Sequence, residues 1–319
     1  MTDWASIDEA SPPRPTSQAD FEGVRSGSRN ARSRNPDGWS GPEAGTARTG
    51  PLPLYPMTLS DVLDGAFKLL KANARAVFLV VAALMVAPQL AIAWAGSDLA
   101  SFGLVGLVAN PVEDDRVPLI VFAVVINTVC GALAAGGVSR IAAASYLGRE
   151  MTAGAALRNV VKRAGPLLAA FVLVHLAELS GGILAGVGLI ATMPLFMAMY
   201  VLVTPVIVVE EIGPLSAMRR SWRLVRPRFW AVLGTALIAG FLAWMLSQIL
   251  AAGPTGVSFF FGGAIAWLLV AIGGVAATVI ATPIVAITAT LLYFDARIRH
   301  EGFDLQILAA AIRRGVGAD

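Results

Sequence analysis

Long apolar runs alternate along the chain with short stretches in which charged residues recur every three or four positions. No formal charge occurs from Ala76 to Ala95, from Val117 to Ser139, or from Phe229 to Phe294. An apolar run of about 18 residues or more is long enough to cross a bilayer as a helix. The pattern predicts six spans, at roughly 76–96, 118–139, 166–187, 189–209, 229–251 and 264–294. The run from Leu167 to Val209 has Glu178 as its only formal charge. As one helix it would be about 65 Å long, against a bilayer core of about 30 Å. It must therefore reverse once, and Gly181, Gly182, Gly186 and Gly188 mark the region of the turn.

The charged stretches have a helical period. In RRSWRLVRPRFW, Arg219 to Trp230, five of the twelve residues are arginine. Leu215, Met218, Trp222, Val225 and Phe229 are spaced 3, 4, 3, 4, one face of an α-helix. Arg219, Arg220 and Arg223 fall on the polar side and Arg226 at its border. Gly213-Pro214 suits a helix start, and Pro227 ends or kinks the helix. This predicts an amphipathic helix in the membrane interface, with Trp222 and Trp230 at headgroup depth. The alternative is a solvated loop helix.

Two other segments read the same way. In TLSDVLDGAFKLLKANAR, Thr58 and Asp61 form a capping-box pattern. Asp61, Asp64, Lys68, Lys71 and Arg75 oppose Leu59, Val62, Leu63, Ala66 and Leu70 there. In MTAGAALRNVVKRAGP, Thr152 can cap, and Arg158, Lys162 and Arg163 face away from Leu157, Val160 and Val161. Phe67-Lys68-Leu69-Leu70-Lys71 aligns by residue class with Trp222-Arg223-Leu224-Val225-Arg226. The chain thus reads as all-α, with three repeats of an amphipathic helix plus a transmembrane hairpin. Thr204-Pro205 and Thr282-Pro283 mark matching spans. Pro205 and Pro283 are packing kinks or hinges.

Composition agrees with this class. Of the 319 residues 56% are hydrophobic and 14% charged, where soluble chains carry about 25% charged residues. The net charge of +3 does not point to nucleic acid, because the basic residues sit at the ends of apolar runs. Residues 1–50 differ from the rest. They are rich in Ser, Gly, Pro and Arg, with six arginines against seven acids. This composition predicts a disordered tail. The expected organisation is tail 1–50, membrane domain 51–308 and C-terminal tail 309–319.

Arginine and lysine set the expected orientation. The loop at 96–117 is acidic apart from Arg116, and the loop at 252–262 is uncharged. Arg140, Arg149, Arg158, Lys162 and Arg163, the five arginines from 219 to 228, and Arg297, Arg299, Arg313 and Arg314 all fall on the other side. The positive-inside rule makes that side cytoplasmic, with both termini, in the cell membrane. The expected partners are the bilayer and its anionic headgroups, and other membrane proteins.

Candidate chemistry is sparse. His175 and Glu178 are three residues apart on one face of the third span. An ionisable pair at that depth marks a pathway or a buried pair, unless the helix ends early and leaves it wet. Gln89, Asn127 and Gln248 are expected to bond between helices. Gly131, Ala135 and Ser139 form a small-residue ridge, and Gly273-Gly274 can serve close packing. The single cysteine, Cys130, reads as a packing residue. No catalytic motif, metal-ligand set or cofactor loop is present, so neither enzyme activity nor a cofactor is expected.

MTLSDVLDGAFKLLKANARAVF, GPLSAMRRSWRLVRPRFWAVLG and TPIVAITATLLYFDARIRHEGFDL resemble the glycerophosphoryl diester phosphodiesterase membrane domain family of actinobacteria. The likeness covers about 52–308. In some members of that family a metal-dependent phosphodiesterase domain follows, with an early His-Arg pair and acidic ligands. Nothing of that kind stands in this sequence, so the resemblance implies location more than activity. The expectation is a non-enzymatic integral membrane protein serving as scaffold, accessory or membrane organiser. The alternative is a transporter or lipid handler that uses His175 and Glu178.

Overall fold

A computed structural model describes residues 56–95, 117–184, 196–261 and 263–306. The chain divides into Met1–Thr46 and Ala47–Asp319, and all described residues belong to the second unit. Among them every regular element is a helix. These are α1 (Leu59–Ala72), α2 (Ala74–Ala95), α3 (Val117–Tyr146), α4 (Ala153–Leu184), α5 (Val203–Glu210), α6 (Pro214–Val225), α7 (Phe229–Ser258) and α8 (Gly263–Glu301).

Five helical stretches are long and apolar enough to cross a membrane: Ala74–Ala95, Val117–Tyr146, Ala153–Ala177, Pro214–Ser258 and Ile265–Glu301. They overlap the first, second, third, fifth and sixth expected spans. The fourth is described only as the shorter apolar stretch Phe196–Glu210. The expected tail 1–50, the C-terminal tail 309–319 and nearly all of the acidic loop at 96–117 lie outside the described residues. Large apolar side chains face outward, among them Phe122, Leu176, Phe241, Trp244 and Ile272. Apolar surface of this extent is rare on a chain that faces water.

The local signals act as the sequence indicates. Thr58 and Asp61 complete a capping box at α1. Thr152 Oγ1 accepts the Ala155 amide at 3.3 Å. Gly213 caps α6 with Pro214 in its first turn. Pro227 stands in the 3₁₀ turn Arg226–Arg228 that joins α6 to α7.

Several expectations are corrected. The amphipathic segment at 153–165 is not a separate helix, since α4 runs unbroken through Gly165 and Pro166. α4 also passes Gly181 and Gly182 to Leu184, so neither glycine marks the expected turn, and Gly186 and Gly188 lie outside the described residues. At Pro205 the stretch Phe196–Glu210 is interrupted by a turn at residues 201–202, where the proline, in the first turn of α5, has no amide to give the Val201 carbonyl. Pro283 does lie inside α8.

α8 is the axis of the bundle and touches α1, α2, α3, α5, α6 and α7. Close approach depends on glycine. A Cβ on Gly137 would lie 2.7 Å from Val80 Cγ1, and one on Gly136 2.9 Å from Leu167 Cδ1. The tight seam of α3 is therefore Gly136-Gly137, whereas a Cβ on Gly131 would meet only Met85 at 3.9 Å. A Cβ on Gly273 would lie 3.2 Å from the Ala251 backbone, which explains the close pairing of α7 and α8. Gln89 Nε2 donates to Thr278 Oγ1 at 2.7 Å and ties α2 to α8. Asn127 Oδ1 is buried with no hydrogen-bond partner among the described residues.

Candidate functional site

The arginine-rich helix ends meet, and three carboxylate centres hold them. The first is Glu210, the last residue of α5. Arg220 Nε donates to both its oxygens, at 3.0 and 3.1 Å, and the Tyr293 hydroxyl donates to Oε1 at 3.0 Å. Arg220 also pairs with Glu301. Arg297 donates to Tyr293 Oη at 3.1 Å and to Glu301 Oε2 at 3.0 Å. Its guanidinium lies 4.1 Å from the Phe303 ring centroid, a cation–π distance. Arg220 and Glu210 side chains keep only 17% and 19% exposure. Two guanidinium groups thus face two carboxylates in a half-dry setting, where breaking one pair is costly.

The second centre is Glu211. It takes the left-handed conformation, φ 57°, as the C-cap of α5. Arg163 on α4 donates to its carbonyl at 2.9 Å and to its carboxylate at 2.5 Å. Arg140 on α3 stands 3.9 Å from Oε1 and donates to the Val208 carbonyl at 2.8 Å. Adjacent acids therefore serve different neighbours: Glu210 binds α6 and α8, Glu211 binds α3 and α4.

The third centre is Asp295 on α8, 7% exposed. It accepts the Met57 amide at 2.7 Å and Arg299 Nε at 2.9 and 3.0 Å. Arg299 donates onward to the Met57 carbonyl at 2.8 Å, and Arg228 Nη1 stands 3.5 Å from Oδ2. The start of α1 is thereby fastened to the end of α8. Beneath, Tyr146 and Phe294 stack at 4.5 Å and 18°, both fully buried.

The basic residues singled out in the sequence divide into two groups. Arg220 is a strut in this network and not a free headgroup contact. Arg219, Arg223, Arg226, Arg158, Lys162 and Lys71 are exposed, with no ion pair to a described residue. Lys68 pairs with Asp64 at 2.6 Å, an exposed contact of small energetic weight. The face of α6 that packs on the bundle is only in part the apolar one picked out by the 3, 4, 3, 4 spacing. Ala217, Ser221, Leu224 and Val225 are buried, while Leu215 and Trp222 face outward at 58% and 37% exposure. Val161, expected on the apolar face, is 75% exposed, beside the exposed Lys162. Apolar and cationic side chains thus share the outer surface of this end.

Two cavities open here. One of about 440 Å³ is bounded by the starts of α1 and α7 and the end of α8. Another, of about 580 Å³, lies where the α1–α2 junction at Asn73 meets Glu150 and Thr152. Deeper in the apolar belt, a cavity of about 540 Å³ brings together Ser139, Tyr200, Thr204, Ser247 and Thr282. Both threonines of the Thr-Pro pairs reach it. His175 lines a separate pocket of about 180 Å³ that shares Tyr200 and Thr204. Its Nδ1 is 2.9 Å from the Phe171 carbonyl, and its ring lies 4.0 Å from that of Phe171. The Glu178 side chain lies outside the described ones, so the expected His175–Glu178 pairing is not described. Among the described residues, no three His, Cys, Asp or Glu side chains form a group able to hold a metal ion.

Sequence reasoning missed Glu210, Glu211, Asp295, Glu301 and Met57. The spacings Asp295–Arg299 and Arg297–Glu301 were visible as i, i+4 pairs. The partners from α5, α6 and the segment before α1 were not. No family model, no curated protein and no solved structure matches the chain.

Proposed function

We propose that this is a non-enzymatic multi-pass protein of the cell membrane that works as a scaffold or membrane organiser through its arginine-rich end. The carrying observation is the division of labour among the basic side chains. Arg140, Arg163, Arg220, Arg297 and Arg299 are spent on Glu210, Glu211, Asp295 and Glu301, and Arg228 stands beside Asp295 with most of its donors open. That network fixes the helix ends relative to one another. Arg219, Arg223, Arg226, Arg158, Lys162 and Lys71 remain outward, beside exposed Leu215, Trp222 and Trp230. A rigid frame presenting cations and apolar side chains together suits an anionic leaflet and a membrane-bound partner.

The reading includes six spans in three repeats, with the basic end cytoplasmic. Burial at aligned positions supports the repeat. Phe67 and Trp222 are both exposed, and Leu69 and Leu224 are 1% and 2% exposed. Lys68, Arg223, Lys71 and Arg226 all face out. The resemblance to the phosphodiesterase membrane domain family is carried here as a proposal of kinship and location.

The test is native purification. Full-length protein taken gently from its own membranes is compared with an Arg219→Gln, Arg223→Gln, Arg226→Gln variant. A stoichiometric protein partner that the variant loses supports the scaffold. No such partner, or one indifferent to the three changes, rejects it.

A second reading, lipid handling or transport, draws on the 540 Å³ cavity with its hydroxyl groups and its shared wall with the His175 pocket. It predicts a co-purifying lipid that is lost when Gly240, on the cavity wall, is replaced by Leu.

A further inference from the structure

The 440 Å³ cavity at the start of α7 has two chemistries. Arg228, Arg299, His300 and Asp295 line it, and so do Gly234, Ile238 and Leu292. Arg228 to Ile238 is about 15 Å along a helix axis, so the wall passes from guanidinium groups to aliphatic side chains over that distance. Trp230, 79% exposed, and Ile238, 40% exposed, mark its outer rim. A Trp at that position sits where headgroups meet acyl chains.

The charges leave a surplus. Among the described residues Asp295 is the one carboxylate on the wall, and it faces two arginines. Its hydrogen bonds come from Arg299 and the Met57 amide. Arg228 stands 3.5 Å away and makes no hydrogen bond to a described residue. A guanidinium has five N–H donors in a planar fork suited to phosphate oxygens. One positive charge and most of the Arg228 donors are therefore uncommitted, beside an apolar wall that leads into the belt of the bundle. The volume lies within the range of about 300–1,000 Å³ usual for small-molecule sites.

We propose that this cavity binds one anionic phospholipid, its phosphodiester between Arg228 and Arg299 with His300 alongside, and an acyl chain running past Gly234 and Ile238. The surplus positive charge disfavours a zwitterionic headgroup, whose own cation would enter beside the arginines. The apolar wall favours a lipid over a free phosphate. The proposal rests on the membrane reading above and deepens it, replacing diffuse attraction by one saturable site.

The test is native mass spectrometry of the full chain in detergent, titrated with phosphatidylglycerol, with phosphatidylcholine, or with inorganic phosphate. One phosphatidylglycerol per chain is expected to survive detergent washing, in preference to phosphatidylcholine. Arg228→Gln should weaken it roughly tenfold, the weight of a hydrogen-bonded charge. Gly234→Leu should weaken it too. A Cβ at Gly234 meets nothing within 4 Å, so that change fills the cavity and leaves every charge in place. Arg219→Gln, outside the cavity, should leave it unchanged, and thermal melting checks that each variant is folded. The proposal is overturned if both cavity variants hold the lipid as the native chain does. Equal loss from Arg219→Gln, or retention of inorganic phosphate as strong as that of the lipid, overturns it as well. Failure of the membrane reading would be seen separately, in side-specific labelling of the native chain, which does not involve the cavity.

Discussion

Glu210 ties the end of α5 to both α6 and α8. It is the acceptor for Arg220 and for Tyr293, and both would lose a half-buried partner together. Glu210→Gln is expected to cost about 2 kcal/mol or more, read as a lower melting temperature in detergent. Arg219→Gln, on the open surface, should change it by less than about 0.5 kcal/mol. Equal melting of the two variants would contradict the frame. Glycines separate in the same way. Gly137→Val drives a branched side chain into Val80 and Val160, an overpacking that costs about 1–3 kcal/mol. Gly234→Ala meets open space and should stabilise α7 by up to about 1 kcal/mol through helix propensity. Paired thermal denaturation checks both signs.

Helix periodicity located nearly every element but not always its buried side. α6 was legible as amphipathic, and its cap at Gly213 and its end before Pro227 stand where the sequence put them. Which of its faces packs on the bundle was not legible, because Ser221 and Arg220 read as polar, yet Ser221 is buried and Arg220 half-buried. Ser221 Oγ donates to the Met199 carbonyl at 2.8 Å, and Arg220 is ion-paired on two sides. Long-range partners turn a polar residue inward, and no local pattern records them. Likewise α4 hides a helix–helix joint that Gly165-Pro166 would ordinarily mark. The outward face of α6 has its own consequence. With Cys130→Ala as background, Leu215→Cys carrying a polarity-sensitive dye should emit as from a headgroup layer in vesicles. Emission typical of water would reject an interfacial α6.

The bundle joins two different ends through α8. One end is a network of carboxylates and arginines that clamps α1, α3, α4, α5 and α6. Away from it, the described surface is an apolar belt with Phe241, Trp244 and Phe260 outward. The all-helical class and the five long apolar stretches were legible, since a chargeless run is a local property. The network was not, because Met57 and Asp295 are 238 positions apart. The central claim is that this network lies on one side of a membrane, the cytoplasmic one. Side-specific cysteine labelling tests it most directly. In a Cys130→Ala background, single cysteines replace Arg149, Gln306 and Phe260, and intact cells receive a membrane-impermeant maleimide. The reading predicts labelling at 260 from outside, and at 149 and 306 only after the membrane is opened. Labelling of 149 and 260 from the same side would contradict it.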